Sequence, residues 1–282
     1  MSLSIGLLGL DSSHADDFVR HFNIERHHPD LRITALQGDD ARVAELRMMD
    51  RDLVACGTIE DLIGSVDAVI VGHRDGALHR DAAISCLDAK RPVFVDKPLA
   101  NTRADAEAII SAAGRNATPL LSGSALRWQA ETRRIKACLA GIEGAIDLRA
   151  WGTWYPDSEY GGAIFYAIHT VELAQELLGL EFHKVKLRAA DEPVISYRTG
   201  AHRVMLSFHP LGSSGHSDFG VEVTARGAKF RQPIPLGDDY MMPVVDQFAA
   251  MLREGRSPMT REQLLAPSRL MEEIEALLMV RP

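Results

Sequence analysis

Lys97 is the side chain best placed for chemistry, because of the ten residues around it, RPVFVDKPLA over 91–100. Residues 92–95 are apolar and rich in β-branching, which predicts a buried parallel strand, and the acid, lysine and proline that follow end it abruptly. Pro98 biases Lys97 toward an extended backbone. Thr102 and Asp105 then make a capping box for a helix over 104–113. A lysine so placed stands at the carboxyl end of a strand, the edge at which open α/β sheets bind ligands. An ammonium there suits the stabilisation of negative charge developing on oxygen. The alternative is an ordinary solvated lysine.

The elements that must position Lys97 begin with residues 3–10, LSIGLLGL, an expected strand. Asp11, Ser12, Ser13 and His14 turn it into a helix that starts near Ala15 and carries Phe18, Val19 and Phe22 inward. A strand, tight turn and helix in this order is the opening of a dinucleotide-binding fold, whose GxGxxG loop uses glycine for the turn, for pyrophosphate approach and for helix packing. Aligned on Gly9, this chain has Asp11 and His14 in the second and third places. Asp11 would oppose a phosphate, unless it, Ser12 or Ser13 turns an oxygen to cap the helix and leaves His14 as a donor to the pyrophosphate. A second strand over 31–36 ends at Gln37 and Gly38, where an acid for the ribose hydroxyls is usual. Asp39 and Asp40 just beyond either reach back or serve the dipole of the next helix. Strands over 68–71, 92–95 and 119–123, with helices over 77–89 and 104–113, complete five strands alternating with helices. His73 falls just past a strand end, in reach of a cofactor or merely solvated.

After residue 123 the rhythm changes to short alternating strands in series, with helices near 135–140, 171–178, 244–253 and 261–278. The expectation is α/β: a doubly wound parallel sheet over 1–123 that binds dinucleotide, then an α+β domain over 124–282 with a mostly antiparallel open sheet for substrate and subunit contacts. A net charge of −8 without a Lys/Arg cluster argues against nucleic acid and anionic membranes. Three scattered cysteines suggest neither a disulfide frame nor a zinc knuckle. With no signal-like start and no membrane-length apolar run, a cytoplasmic protein is expected. Adjacent His27 and His28 point apart, and His202, His209 and His216 recur at an interval that joins no single strand face, so no metal site is expected. Ser213, Ser214, His216 and Asp218 read as hairpin-loop chemistry rather than a triad. Trp151, Trp154 and Tyr155 line a sugar site or belong to core or interface.

Together these features resemble the glucose-fructose oxidoreductase/inositol dehydrogenase (Gfo/Idh/MocA) family: the IGLLGL opening, His79 on the helix before the key strand, DKPLA in place of an EKP motif, Arg127-Trp128, and the segment from Gly161-Gly162 to His169. The resemblance implies NAD or NADP, a sugar, polyol or related hydroxy substrate, and a homo-oligomer, dimer or tetramer, paired through the C-terminal sheet. It makes Lys97 the lysine that meets substrate hydroxyl and nicotinamide, with Asp96 for the motif's glutamate, and His169 the acid/base. Phe165 stands where the family has an aspartate. Glu172, one turn on, would orient the imidazole or cap a polar stripe. Tyr166, three residues before His169, is the reserve proton donor. Such sites oxidise a carbinol by taking its hydroxyl proton while hydride leaves for nicotinamide. The same fold also serves NAD-assisted lyases and hydrolases, and the missing glycines and acids leave open a catalytically silent binding protein.

Overall fold

A computed structural model describes residues 2–211 and 218–279, so Ser213, Ser214 and His216 lie outside the described residues. In chain order the elements are β1 (Leu3–Leu8), α1 (His14–Val19), β2 (Leu31–Gln37), α2 (Asp40–Met49), β3 (Val54–Ala55), α3 (Ile59–Ser65), β4 (Ala68–Val71), α4 (His79–Asp88), β5 (Val93–Val95), α5 (Arg103–Asn116) and β6 (Leu120–Ser122). There follow α6 (Ala130–Ala140), β7 (Asp147–Trp154), α7 (Ile164–Leu178), β8 (His183–Ala189), β9 (Val194–Thr199), β10 (His202–Pro210), β11 (Gly220–Ala225), β12 (Ala228–Pro233), α8 (Met242–Glu254) and α9 (Arg261–Met279). No described helix is long and apolar enough to cross a membrane.

The chain forms two compact units, Met1–Gly123 with Asp238–Leu264, and Ser124–Gly237 with Leu265–Pro282. The stretch 124–282 is therefore not one unit. Its α8 returns to the first because aromatic packing is available there: Phe248 lies 6.4 Å from Phe22 and 6.1 Å from Phe94, ring centre to ring centre. Phe94 in turn meets Phe18 at 5.7 Å. Such rings bury large apolar areas and gain further from tilted geometry. Arg253 adds a bidentate pair to Asp30.

In the first unit the strands run parallel in the order β3-β2-β1-β4-β5-β6. The order reverses direction between β1 and β4, the switch point at which doubly wound sheets bind ligands. Strands β4, β5 and β6 are buried at every residue, as a sheet covered on both faces requires. The sixth strand, β3, escapes the sequence reading because it is two exposed residues on the sheet edge. Helix α5 starts as its capping box predicts, with Thr102 Oγ1 accepting the Asp105 N–H at 3.1 Å.

In the second unit the strands run β12-β11-β7-β10-β9-β8, antiparallel except for β7 with β10. Helix α7, buried on nearly every side, crosses this sheet and carries His169. The opposite face exposes a charge pattern the sequence conceals. Period-two alternation gathers Lys184, Lys186, Arg188, Arg198, Arg203 and Lys229 around one open groove of about 950 Å³. Asp147 and Glu222 pair with only two of them, Arg203 and Lys229.

A Cβ at Gly152 would lie 2.0 Å from Thr170 Oγ1 on α7 and 2.7 Å from the Phe219 ring. Gly152→Ala should therefore destabilise by about 1–3 kcal/mol and lower Tm by roughly 3–10 °C; an unchanged melt would mean that α7 does not hold this position. An oligomer that sets the basic face against its own copy brings like charges together, so added salt should strengthen it. Sedimentation across a salt series checks this, and association that weakens with salt would place the contact elsewhere.

Candidate active site

At the carboxyl edge of the first sheet the ladder continues one residue past the strands. The Gly9 N–H donates to the Gln37 carbonyl at 3.0 Å, Gly72 N–H to Leu8 at 2.7 Å and Asp96 N–H to Val71 at 2.9 Å. Gly9, Gly72 and Asp96 thus end adjacent strands side by side. Gly9 has φ +79°, and a Cβ there would sit 2.5 Å from the His73 ring and 2.6 Å from its backbone nitrogen, so glycine is required. With Gly38 ending β2, three neighbouring strands close in bare backbone, a cradle that side chains would fill and that suits close approach of a dinucleotide.

The loop after β1 resolves the conflict at Asp11. Its Oδ2 accepts the Arg74 N–H at 3.1 Å, and Oδ1 lies 3.8 Å from His73 Nδ1, so the carboxylate straps two loops and does not cap the helix. Ser12 Oγ accepts the His14 N–H at 3.3 Å, whereas Ser13, at the N-cap, makes no side-chain cap. His14 departs from expectation. Its Nδ1 is committed to Asp96 Oδ2 at 2.5 Å, which leaves only Nε2 for any ligand. Gln37 contributes its carbonyl to the ladder, and Asp39 caps α2 through Ala41 and Arg42, the helix-dipole role rather than a ribose contact. His73 is pushed toward its neutral form by burial and by neighbouring His79. The His79 ring nitrogens lie 2.8 Å from the carbonyl oxygens of Pro98 and His73, tying the strand-end turn to the loop after β4.

Asp96 is 3% exposed and Lys97 8%. Burial opposes ionisation of Asp96, but the His14 ring, the Lys97 charge and the Lys97 N–H, which donates to Oδ1 at 2.8 Å, together hold its carboxyl at about 2. Both oxygens are therefore used.

His169 and Tyr166 belong to the second unit. His169 Nδ1 lies 2.6 Å from Ser124 Oγ, and its ring packs 5.3 Å from Phe219. Glu172 does not touch the imidazole. It accepts the Ser124 N–H at 2.7 Å and pairs at 3.3 Å with buried Arg127, which also meets Glu176 at 3.2 Å. Burial pushes the Glu172 carboxyl up, and the Arg127 charge and Ser124 N–H pull it partly back. Phe165 packs against Tyr160 and, edge-on at 4.8 Å, against Tyr166, so position 165 contributes packing where the family it resembles has an aspartate. Ser124 and the Asp96–His14 pair were both missed in the sequence. A serine heading the short turn over Ala125–Trp128 gives a local hint of the first; the second joins residues 82 apart.

Elsewhere, Glu25 Oε2 lies 2.9 Å from both His21 Nδ1 and His27 Nε2 while Arg20 holds Oε1, so that cluster is explained by hydrogen bonding. His28 turns instead to Asp246. Trp151 lies beneath Arg231, 4.4 Å from the guanidinium carbon, and Trp154 packs on Phe208.

A doubly wound sheet with a glycine-edged switch point is a nucleotide-binding class of fold. Residues 3–123 match the oxidoreductase family with an NAD-binding Rossmann fold, Gfo/Idh/MocA. No curated protein matches the chain by sequence. Among solved structures it is similar to GenD2 from gentamicin A biosynthesis in complex with NAD (TM-score 0.81, 16% identity, 99% of this chain and 95% of that one). It is similar also to myo-inositol dehydrogenase from Lactobacillus casei in complex with NAD(H) and myo-inositol (0.80, 14%, 100% and 96%). KijD10, a 3-ketoreductase from Actinomadura kijaniata with NADP and TDP-benzene, matches at 0.75 and 18% identity, over 98% of each chain. At these identities the likeness is one of fold.

The Asp96 carboxyl sits below its ordinary value, 3.8, so its contribution to stability is present above that pH and is lost as pH falls from about 4 to about 2. Asp96→Asn should flatten the decline of Tm across that window. Parallel acid melts of the two proteins would refute the pairing as a source of stability.

Proposed function

We propose that this protein is an NAD(P)-dependent oxidoreductase acting on the CH–OH group of a sugar, polyol or related small hydroxy compound. The observation that carries the reading is Lys97, nearly buried at the carboxyl end of β5 and beside the glycine-edged switch point of an NAD-binding family domain. When bound, a nicotinamide dinucleotide supplies the hydride chemistry. Gly9, Gly38 and Gly72 leave backbone room for it, with Asp11, Ser12, Ser13, His14, Gln37 and His73 around the same edge. In this reading Lys97 steadies the charge that develops on the substrate oxygen as its proton leaves, and Asp96 fixes the Lys97 backbone through the N–H it accepts. His169, oriented by the Ser124 hydroxyl, and Tyr166 are the second unit's catalytic contribution, holding substrate hydroxyls. Dehydrogenases for inositol and a 3-ketoreductase among proteins of like fold support a polyhydroxylated substrate.

The test is calorimetry with NADH and NADPH, followed by turnover of a polyol and sugar panel. Lys97→Ala should keep the fold by circular dichroism and lower kcat by about 10² or more. His169→Asn should lower kcat/KM by about tenfold or more through its lost substrate contact. Wild type that binds neither nucleotide would end this reading.

A further inference from the structure

The two candidate imidazoles, His14 of the first unit and His169 of the second, have different partners. His169 Nδ1 faces a neutral hydroxyl, that of Ser124. His14 Nδ1 faces a buried, ionised carboxylate, Asp96 Oδ2, at 2.5 Å. A carboxylate at one ring nitrogen fixes the tautomer with the proton on that side, leaves the other nitrogen as the base, and stabilises the imidazolium once formed. The His14 ring is held further by Tyr240, packed edge-on at 5.7 Å, and by the backbone N–H given to Ser12 Oγ. Its Nε2 makes no hydrogen bond among the described residues, yet it is absent from their buried, unsatisfied atoms, and 11% of the side chain reaches the surface. An oriented ring with one nitrogen locked and the other open is the geometry of a general base.

We infer that the Asp96–His14 pair is the proton carrier of the reaction, with His14 the catalytic residue and Asp96 its positioning residue. This rests on the oxidoreductase reading above. On oxidation the substrate O–H bond breaks and its proton passes to Nε2. The C–H bond breaks and its electron pair leaves as hydride, for which a bound nicotinamide dinucleotide is the acceptor, and the carbonyl forms. Reduction runs the same transfers backward, with the His14 imidazolium as acid. Lys97, next in sequence to Asp96, supplies charge stabilisation and no proton.

A first measurement needs no substrate. Diethyl pyrocarbonate acylates unprotonated imidazole nitrogens, and peptide mass spectrometry locates the product. His14 should be modified in the native protein, and NADH at about ten times its dissociation constant should slow that reaction about tenfold while leaving exposed His27 unaffected. Second, on the panel alcohol that wild type oxidises, His14→Gln should lower kcat by about 10² to 10⁴ and remove the acidic limb of its pH profile. Asp96→Asn should lower kcat likewise and Asp96→Glu recover it. NADH binding that leaves His14 modification unchanged, or an acidic limb lost in His169→Asn but kept in His14→Gln, would overturn this inference and leave the oxidoreductase reading standing. Failure of wild type to bind either nucleotide would instead bring down both.

Discussion

A carboxylate buried at the end of a parallel sheet is the constraint around which the first unit is arranged. Asp96 ends β5 where water is excluded, and an isolated charge there would be driven to neutralise. It stays ionised because both oxygens are engaged and two charges face it: the Lys97 N–H takes one oxygen, the His14 ring takes the other, and the Lys97 charge lies close. Removing either partner leaves the charge exposed to the full desolvation penalty, whereas removing all of them together need not destabilise.

The second unit solves a similar problem with different chemistry. Glu172 is buried beside Arg127, which is shared with Glu176, and the Ser124 N–H fills one more direction. Here the partner is a guanidinium, which has no proton to exchange. At Asp96, by contrast, the partner is an imidazole ring, with Nδ1 2.5 Å from the carboxylate. Arg127 orders the turn that presents Ser124 to His169, and it cannot itself carry a proton.

Much of the fold was legible because its signals are local. The run over 92–95 and its abrupt end locate β5, and the Thr102–Asp105 box locates the start of α5. Gly9 and Lys97 fall where strand ends put them. What stayed hidden depends on approach between distant segments. The amphipathic pattern of α8 says which face is buried but not that Phe248 meets Phe22 and Phe94. Period-two alternation in four strands makes a basic face, three of its residues within 184–188 and the others from distant segments. Glu172, one turn from His169, looks like its partner on a helical wheel, yet a side chain on the turn at Ser124 intervenes. The His14–Asp96 contact had no local signal, although the histidine in place of a glycine marked the position as unusual.

That replacement also explains how a loop without its usual glycines keeps its shape. Among residues 9–14 only Gly9 has positive φ, so a side chain at 11 or 14 carries no backbone strain. What glycine provides at those positions is clearance. At position 11 clearance is regained by turning the carboxylate sideways onto the Arg74 N–H, away from the path of the chain into α1. At position 14 it is not regained: the ring stays, buried at the sheet edge, and a buried imidazole needs a partner. Asp96 is that partner, reached from β1 across the end of β4 to the end of β5. The histidine in the loop and the acid before Lys97 are accordingly one feature, and a change at either is felt first at the other.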